Sequence, residues 1–227
     1  MWWYDPTYLI LIPAFIFAFI ADTMVKSRFK KYNNVRSEQG ITAYDAARAI
    51  LDANGLYNVP IEHISGELTD HYDPTSNTVR LSDSVYGSSS IAAIGVAAHE
   101  CGHAVQHAEA YTPMQLRSAI IPVTRLGSAL STPLVILGFI LSFKPLITIG
   151  IFAFVTVVLL QLITLPVEFN ASSRALRSLD SQGILYPNEI SQTKKVLSAA
   201  AMTYVAALMS SLLSLLRLIL LSRRRSR

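Results

Sequence analysis

Apolar positions in this chain gather into four long runs, and the polar segments between them carry the patterns of shorter elements. The first run, Tyr8 to Val25, reads YLILIPAFIFAFIADTMV and is followed at once by Lys26, Arg28, Lys30 and Lys31. The second extends from about Ser118 to Phe143, the third from Leu146 to Leu165 and the fourth from Val196 to Leu221. Each is long enough to cross a hydrocarbon core as a helix, which takes about 20 residues. Only Lys144-Pro145 separates the second run from the third, which predicts a tight hairpin that spans twice. The fourth is poor in charge until Arg217, close enough to its end to snorkel. A signal peptide carries its charges before its apolar core. Here they follow it, and Trp2, Trp3 and Tyr4 precede it like an interfacial belt, so the first run reads as an uncleaved anchor with its N-terminus outside.

Basic residues favour the cytoplasmic side of a membrane. Counting them places 26–117 and 166–195 in the cytoplasm and Lys144 at the outer turn. The tail SRRRSR (222–227) would then lie outside, against the rule. The organisation expected is one membrane domain, 1–227, with spans at 8–25, 118–143, 146–165 and 196–221.

The polar segment after the first span has its own pattern. TAYDAARAILDANG predicts a helix with Thr42 as its N-cap and Gly55 just past its end. From Val59 to Leu81, Pro60, ISGELTD, the turn residues of YDPTSN and then TVRLS predict a small antiparallel hairpin. Ser88, Ser89 and Ser90 offer an N-cap for a helix from Ile91 to about Ala108. Asn188 can cap a helix from Glu189 that continues into the fourth span, about 50 Å at 1.5 Å per residue. The fold class is therefore mainly α and integral to the membrane: about four transmembrane helices and a small α+β region.

Composition supports this and narrows the partners. Hydrophobic residues make up 52% of the 227 and charged residues 15%, and mean hydropathy is +0.40, outside the range of ordinary soluble domains. A net charge of +4 does not point to nucleic acid, because the bases cluster beside apolar runs. The partners implied are the lipid bilayer and a substrate; oligomeric state is not legible. The single cysteine, Cys101, allows no internal disulfide and reads as a small buried hydrophobe rather than a metal thiolate.

The chemistry lies in AAHECGHAVQHAEAY, residues 97–111. His99-Glu100-Cys101-Gly102-His103 is HExxH, and on a helix positions i and i+4 share a face, so both imidazoles reach one zinc ion. Glu100 can reach a water at the metal without ligating it and is the natural general base. A catalytic zinc needs a third protein ligand and an open position. His107 extends the series, but on a straight helix it lies about 12 Å along the axis from His99. Metzincins bring a third histidine back with a glycine turn; Ala104, Val105 and Gln106 make no such break. His107 is thus expected on the helix surface or behind the ligands. His63 and His71 are candidates for stabilising an oxyanion. Glu168, just past the third span, is a carboxylate at a membrane edge that needs a partner, which zinc would supply. Arg174 is a further candidate for binding an oxyanion or a substrate carboxylate. Thr78, Val79, Arg80 and Leu81 are the candidate edge strand for pairing with an extended peptide.

Four separated blocks, AAHECGHAVQHAE, DHYDPTSNTVRLSDSVY, LPVEFNASSRAL and KKVLSAAAMTYVAAL, resemble the YugP-like neutral zinc metallopeptidases, a bacterial membrane family. The resemblance implies one zinc ion held by His99, His103 and Glu168, with Glu100 as catalytic base. A more distant similarity is to the HtpX-type membrane proteases, whose Glu-x-x-Ala-Asp motif completes the site. This chain keeps Glu168 and Ala171 but has Ser172 in the aspartate's place, so Ser172 or Asn170 could orient a histidine only as a neutral acceptor.

The function expected is that of a zinc metallopeptidase of the bacterial inner membrane, an endopeptidase acting on peptides or membrane-protein segments from the cytoplasmic side. The alternative is a zinc-stabilised membrane scaffold or chaperone, for which Glu100 would have no use. A transporter is disfavoured, because the spans lack paired buried charges.

Overall fold

The computed structural model describes residues 6–224, so the Trp2–Tyr4 belt and the last three residues of the basic tail lie outside the described residues. The chain is mainly helical. After a 3-10 turn, Pro6–Leu11, come α1 (Ile12–Asn33), α2 (Ala43–Ala53), β1 (Ile61–Ile64), β2 (His71–Asp73), β3 (Thr78–Ser82), α3 (Ile91–Ala108), α4 (Thr112–Ile140), α5 (Lys144–Ser181) and α6 (Pro187–Arg224). Four helical segments, Pro6–Asn33, Thr112–Ile140, Lys144–Ser181 and Pro187–Arg223, are long and apolar enough to cross a membrane. The residues divide into two compact units, one drawn from Met1–Asp22, Pro113–Pro166 and Met202–Arg227, the other from Thr23–Thr112 and Val167–Ala201.

In the first unit α4 and α5 approach closely through small residues. A Cβ on Gly127 would stand 2.7 Å from the Ala153 carbonyl oxygen, and one on Gly150 2.9 Å from that of Ser131. Hydroxyls bridge the same contact: Ser131 donates to the Gly150 carbonyl at 2.8 Å and Thr124 to that of Thr156 at 3.2 Å. In hydrocarbon, where apolar burial drives no association, close packing and such bonds hold helices together. The break between the helices falls at 141–143, with Ser142 at φ 53°. Lys144-Pro145 does not form that turn; it opens α5, where a proline in the first turn removes no needed N–H. Arg217 lies over the Tyr8 ring at 3.8 Å and donates to Thr7 Oγ1 at 3.2 Å.

In the second unit α2 begins at its N-cap Thr42, whose hydroxyl accepts the Asp45 N–H, and ends at Asn54 before Gly55 at φ 73°. Its buried face, Ala43, Ala46, Ala47, Ile50 and Leu51, packs on α3. The predicted hairpin is present: β2 runs antiparallel to β3 with Tyr72 opposite Val79. A third strand was not anticipated. β1 pairs in parallel with β3, Ile61 opposite Val79, giving the order β1-β3-β2. The loop between β1 and β2 is tied down by Asp83, whose carboxylate accepts the Gly66 N–H at 2.8 Å. A charged row crosses the sheet, with Arg80 bonded to Glu62 and to Asp73, each at 2.9 Å. Its guanidinium is the first cause holding the Asp73 carboxyl well below the usual carboxylate range.

α3 starts at the N-cap Ser90. It is buried along nearly its whole length, which its run of alanines and glycines permits. A Cβ on Gly95 would clash with the Thr193 methyl of α6 at 2.5 Å, and one on Gly102 with the Ala171 carbonyl oxygen of α5 at 2.7 Å. Glycine at these two points lets the helices touch. α6 begins earlier than expected. Pro187 is its first residue, Asn188 sits inside the first turn rather than capping it, and the Glu189 carboxylate reaches back to the Tyr186 N–H at 2.8 Å. Asn188 instead donates to Glu38 at 3.2 Å.

Gly102→Ala should cost about 1–3 kcal/mol, the usual penalty for overpacking. The Ala171 backbone cannot swing aside as a side chain would, so the variant should melt at a lower temperature in a thermal unfolding scan. A melting temperature equal to the parent's would show that the α3–α5 contact yields freely.

Candidate active site

Three side chains from two helices of the second unit converge. His99 and His103 project from one face of α3, four residues apart, and Glu168 reaches them from α5. Their ligand atoms all lie within 4.8 Å of one another. Glu168 Oε2 is 3.3 Å from His99 Nε2 and 3.5 Å from His103 Nε2. Two ligands at about 2.1 Å from a tetrahedral zinc stand about 3.4 Å apart, so both separations fit that ion. The donor set, two imidazole nitrogens and one carboxylate oxygen, is also one zinc accepts in catalytic sites. Glu168 is only 2% exposed, and a buried carboxylate is retained only with charge or hydrogen-bond compensation.

Each histidine is oriented from behind. For Nε2 to offer a lone pair the ring proton must sit on Nδ1, and Nδ1 has an acceptor in both cases. His99 Nδ1 faces Ser172 Oγ at 3.1 Å, and His103 Nδ1 faces Gln106 Oε1 at 3.0 Å. Gln106 is fully buried. Its amide N–H groups go to the Val167 carbonyl at 2.8 Å and to Asn170 Oδ1 at 3.0 Å. Asn170 Oδ1 also accepts from Arg174 Nε at 2.7 Å, and Arg174 Nη2 pairs with Glu109 at 2.6 Å. The guanidinium holds the Glu109 carboxyl below its usual value. A continuous chain of polar contacts therefore runs from His103 through Gln106, Asn170 and Arg174 to Glu109. The guanidinium of Arg174, expected near an oxyanion or a substrate carboxylate, is engaged in this chain.

Glu100 is turned towards the sheet. Its Oε2 accepts the backbone N–H of Tyr72, on β2, at 2.9 Å, and Oε1 has no hydrogen bond among the described residues. The substrate strand expected at Thr78–Leu81 is not available there. β3 is central, and β1 and β2 occupy its two sides. The strand whose backbone reaches Glu100 is β2. His71, the first residue of β2, is exposed and places Nδ1 2.9 Å from the Thr69 carbonyl. The carbonyl accepts the Nδ1–H, which leaves Nε2 as the ring nitrogen free of that bond. His63 pairs with Asp83 at 2.8 Å on β1, the opposite edge of the sheet. His107 stays out of the cluster, with Nδ1 2.6 Å from the Tyr72 hydroxyl. Cys101 is fully buried, near the Ala47 carbonyl, and burial pushes its thiol up.

Gln106 and Tyr72 were not singled out from sequence. Gln106 had a signal: it is a polar residue three positions after the second histidine of HExxH, in a helix built mainly of small apolar residues. Tyr72 had none, because its contribution to Glu100 is a backbone N–H.

Comparison with known proteins agrees with this geometry. Residues 7–223 match the model of a family described as "Putative neutral zinc metallopeptidase", and the chain belongs to that family. It is 50% identical over 212 residues, 93% of this chain and 94% of the other, to a protein of Bacillus subtilis (strain 168) named "Putative membrane protease YugP". No solved structure matches the chain.

Metal binding should depend on pH and on Gln106. Burial, the largest single effect, opposes protonation of His103, but the Glu168 and Glu100 carboxylates and Gln106 together outweigh it, so without metal the ring keeps its proton above the usual histidine range. Metal must displace that proton. Zinc affinity should therefore fall as pH drops from 8 to 6. Gln106→Leu should bind zinc about 10–100-fold more weakly at pH 8, the usual cost of losing the group behind a ligand. Competition titration against a chromogenic chelator reads both; equal affinity for parent and variant would remove Gln106 from the site.

Proposed function

We propose that this protein is an integral-membrane zinc-dependent endopeptidase that cleaves peptides or membrane-protein segments. The observation that carries the reading is the His99–His103–Glu168 cluster with Glu100 next to the first ligand. A closed structural zinc site has four protein ligands; among the described residues this cluster has three. A zinc ion held by these three would keep one coordination position for chemistry, and Glu100 would have a role that a scaffold does not need.

His99, His103 and Glu168 would hold one zinc ion. Bound zinc supplies Lewis acidity, which polarises a scissile carbonyl and makes water acidic enough to ionise near neutral pH. Glu100 accepts the proton at its carboxylate and returns it to the leaving amine. The N–H of Tyr72 holds Oε2 and so fixes the direction in which Oε1 points. Glu168, without a proton, offsets positive charge between the two imidazoles. Ser172 and Gln106 keep both ring protons on Nδ1. Extended substrate would lie along β2, the strand beside Glu100, in place of β3.

Glu100→Gln should retain zinc while turnover of labelled casein by detergent-solubilised protein falls at least 100-fold, within the range for a general base. Glu168→Ala should lose both zinc and turnover. Full activity in a zinc-loaded Glu100→Gln protein would end the peptidase reading.

Basic residues supply the orientation. Lys26, Arg28, Lys30 and Lys31 follow the first span, and Arg174, Arg177, Lys194 and Lys195 lie between the third and fourth, against Lys144 alone at 141–145. We place the site in the cytoplasm of a bacterial cell, at the inner membrane. In inverted and right-side-out vesicles, a tag inserted at Glu67 should be cut by added protease only in the inverted ones; the reverse pattern would overturn the orientation.

A further inference from the structure

His107 continues the histidine series by one helical turn, yet it joins no ligand cluster. The residue it touches is the one that holds the base. Its Nδ1 lies 2.6 Å from the Tyr72 hydroxyl, and the two rings pack with centroids 5.8 Å apart. That hydroxyl donates to Asn77 Oδ1 at 2.6 Å, so it accepts the Nδ1–H of His107. The backbone N–H of the same tyrosine donates to Glu100. Glu100 and His107 are seven residues apart, nearly two turns, so they share one side of α3 within about 20° and are separated by about 10 Å along the axis. One residue of β2 is thus fastened to α3 at two points, by its main chain at the base and by its side-chain tip two turns on.

β2 needs such a fastening. It is a strand of three residues with a partner on one side only, and the exposed turn Pro74–Asn77 follows it. Pairing over so short a length fixes the position of a single N–H weakly. Tyr72, 8% exposed as a residue, adds a lever whose hydroxyl end is held by His107 and Asn77.

We infer that His107 is a positioning residue for the peptidase reaction: through the Tyr72 side chain it sets where the Tyr72 N–H stands, and thereby the orientation of the Glu100 carboxylate. The inference rests on the peptidase reading for its kinetic consequence, but its structural consequence can be measured without any turnover. The role also explains a third histidine at this spacing. A ring nitrogen here is used as a short, rigid donor to a phenol, not as a metal ligand.

The test uses full-length, zinc-loaded protein in detergent with labelled casein. His107→Ala and Tyr72→Phe should each keep full zinc, leave KM within about twofold and lower kcat about tenfold. The double variant should be no worse than the singles, since both remove one linkage. His107→Gln, which retains an N–H donor, should recover at least a third of kcat. In hydrogen exchange the Tyr72 amide should exchange faster in His107→Ala, while the α3 amides from Ala97 to His103 stay protected. The inference is overturned by zinc loss that parallels the activity loss, by single effects that multiply in the double variant, or by unchanged Tyr72 exchange. Should the parent protein fail to cleave, the peptidase reading falls, and the exchange result alone decides the linkage.

Discussion

A carboxylate buried between two imidazoles is the constraint around which the second unit is built. Glu168 has left water almost completely, and an ion in that position costs several kcal/mol unless opposite charge and hydrogen bonds surround it. His99 and His103 supply part of that compensation, and they reach Glu168 only because α3 and α5 approach to contact. Gly102 makes the approach possible, since any Cβ there meets the Ala171 backbone. The same closeness lets Gln106 bridge from His103 to Val167 and Asn170 and lets Ser172 stand behind His99. Packing and polar contacts are one arrangement: the residues that hold the helices together also face the Nδ1 atoms of His99 and His103.

Much of this was legible in the chain, and the limits are physical. Short-range features were read directly. Thr42 and Ser90 cap helices because a side-chain oxygen next to a free N–H is a local arrangement. HExxH declared itself because i and i+4 share a face whatever surrounds the helix. Glu168 could be nominated because a carboxylate at the end of an apolar run needs compensation. What failed depended on which distant segment becomes a neighbour. The pattern of TVRLS shows a strand, but not that β1 would pair with it in parallel and make it central. The start of α6 was misplaced by two residues because Pro187, with its preset φ, outcompetes Asn188 as the point where the helix begins.

His107 marks the same boundary from the other side. Its spacing argued against a ligand role on a straight helix, and the structure keeps α3 unbroken through Ala108. Elimination could not assign it a partner, because the partner is on a three-residue strand whose position is settled only by the fold. A residue next to HExxH in sequence thus contacts Tyr72, the residue whose backbone N–H Glu100 accepts.

The polar groups behind the ligands also bear on the charge of the site. Ser172 and Gln106 are neutral, where an aspartate or glutamate could also accept a ring N–H. A carboxylate behind an imidazole makes it more basic and adds negative charge near the metal. This site already has two carboxylates, Glu168 between the imidazoles and Glu100 beside His99, and together they would match the charge of one divalent ion. A third, against the half-buried ring of His99, would add negative charge beyond what one divalent ion offsets. It would also raise the proton affinity of the ligand set and so strengthen competition by protons for the metal. Neutral acceptors supply the orientation without that cost. Under the proposed reading, neutral acceptors at Ser172 and Gln106 would leave a bound cation strongly electron-withdrawing and proton transfer to Glu100 alone.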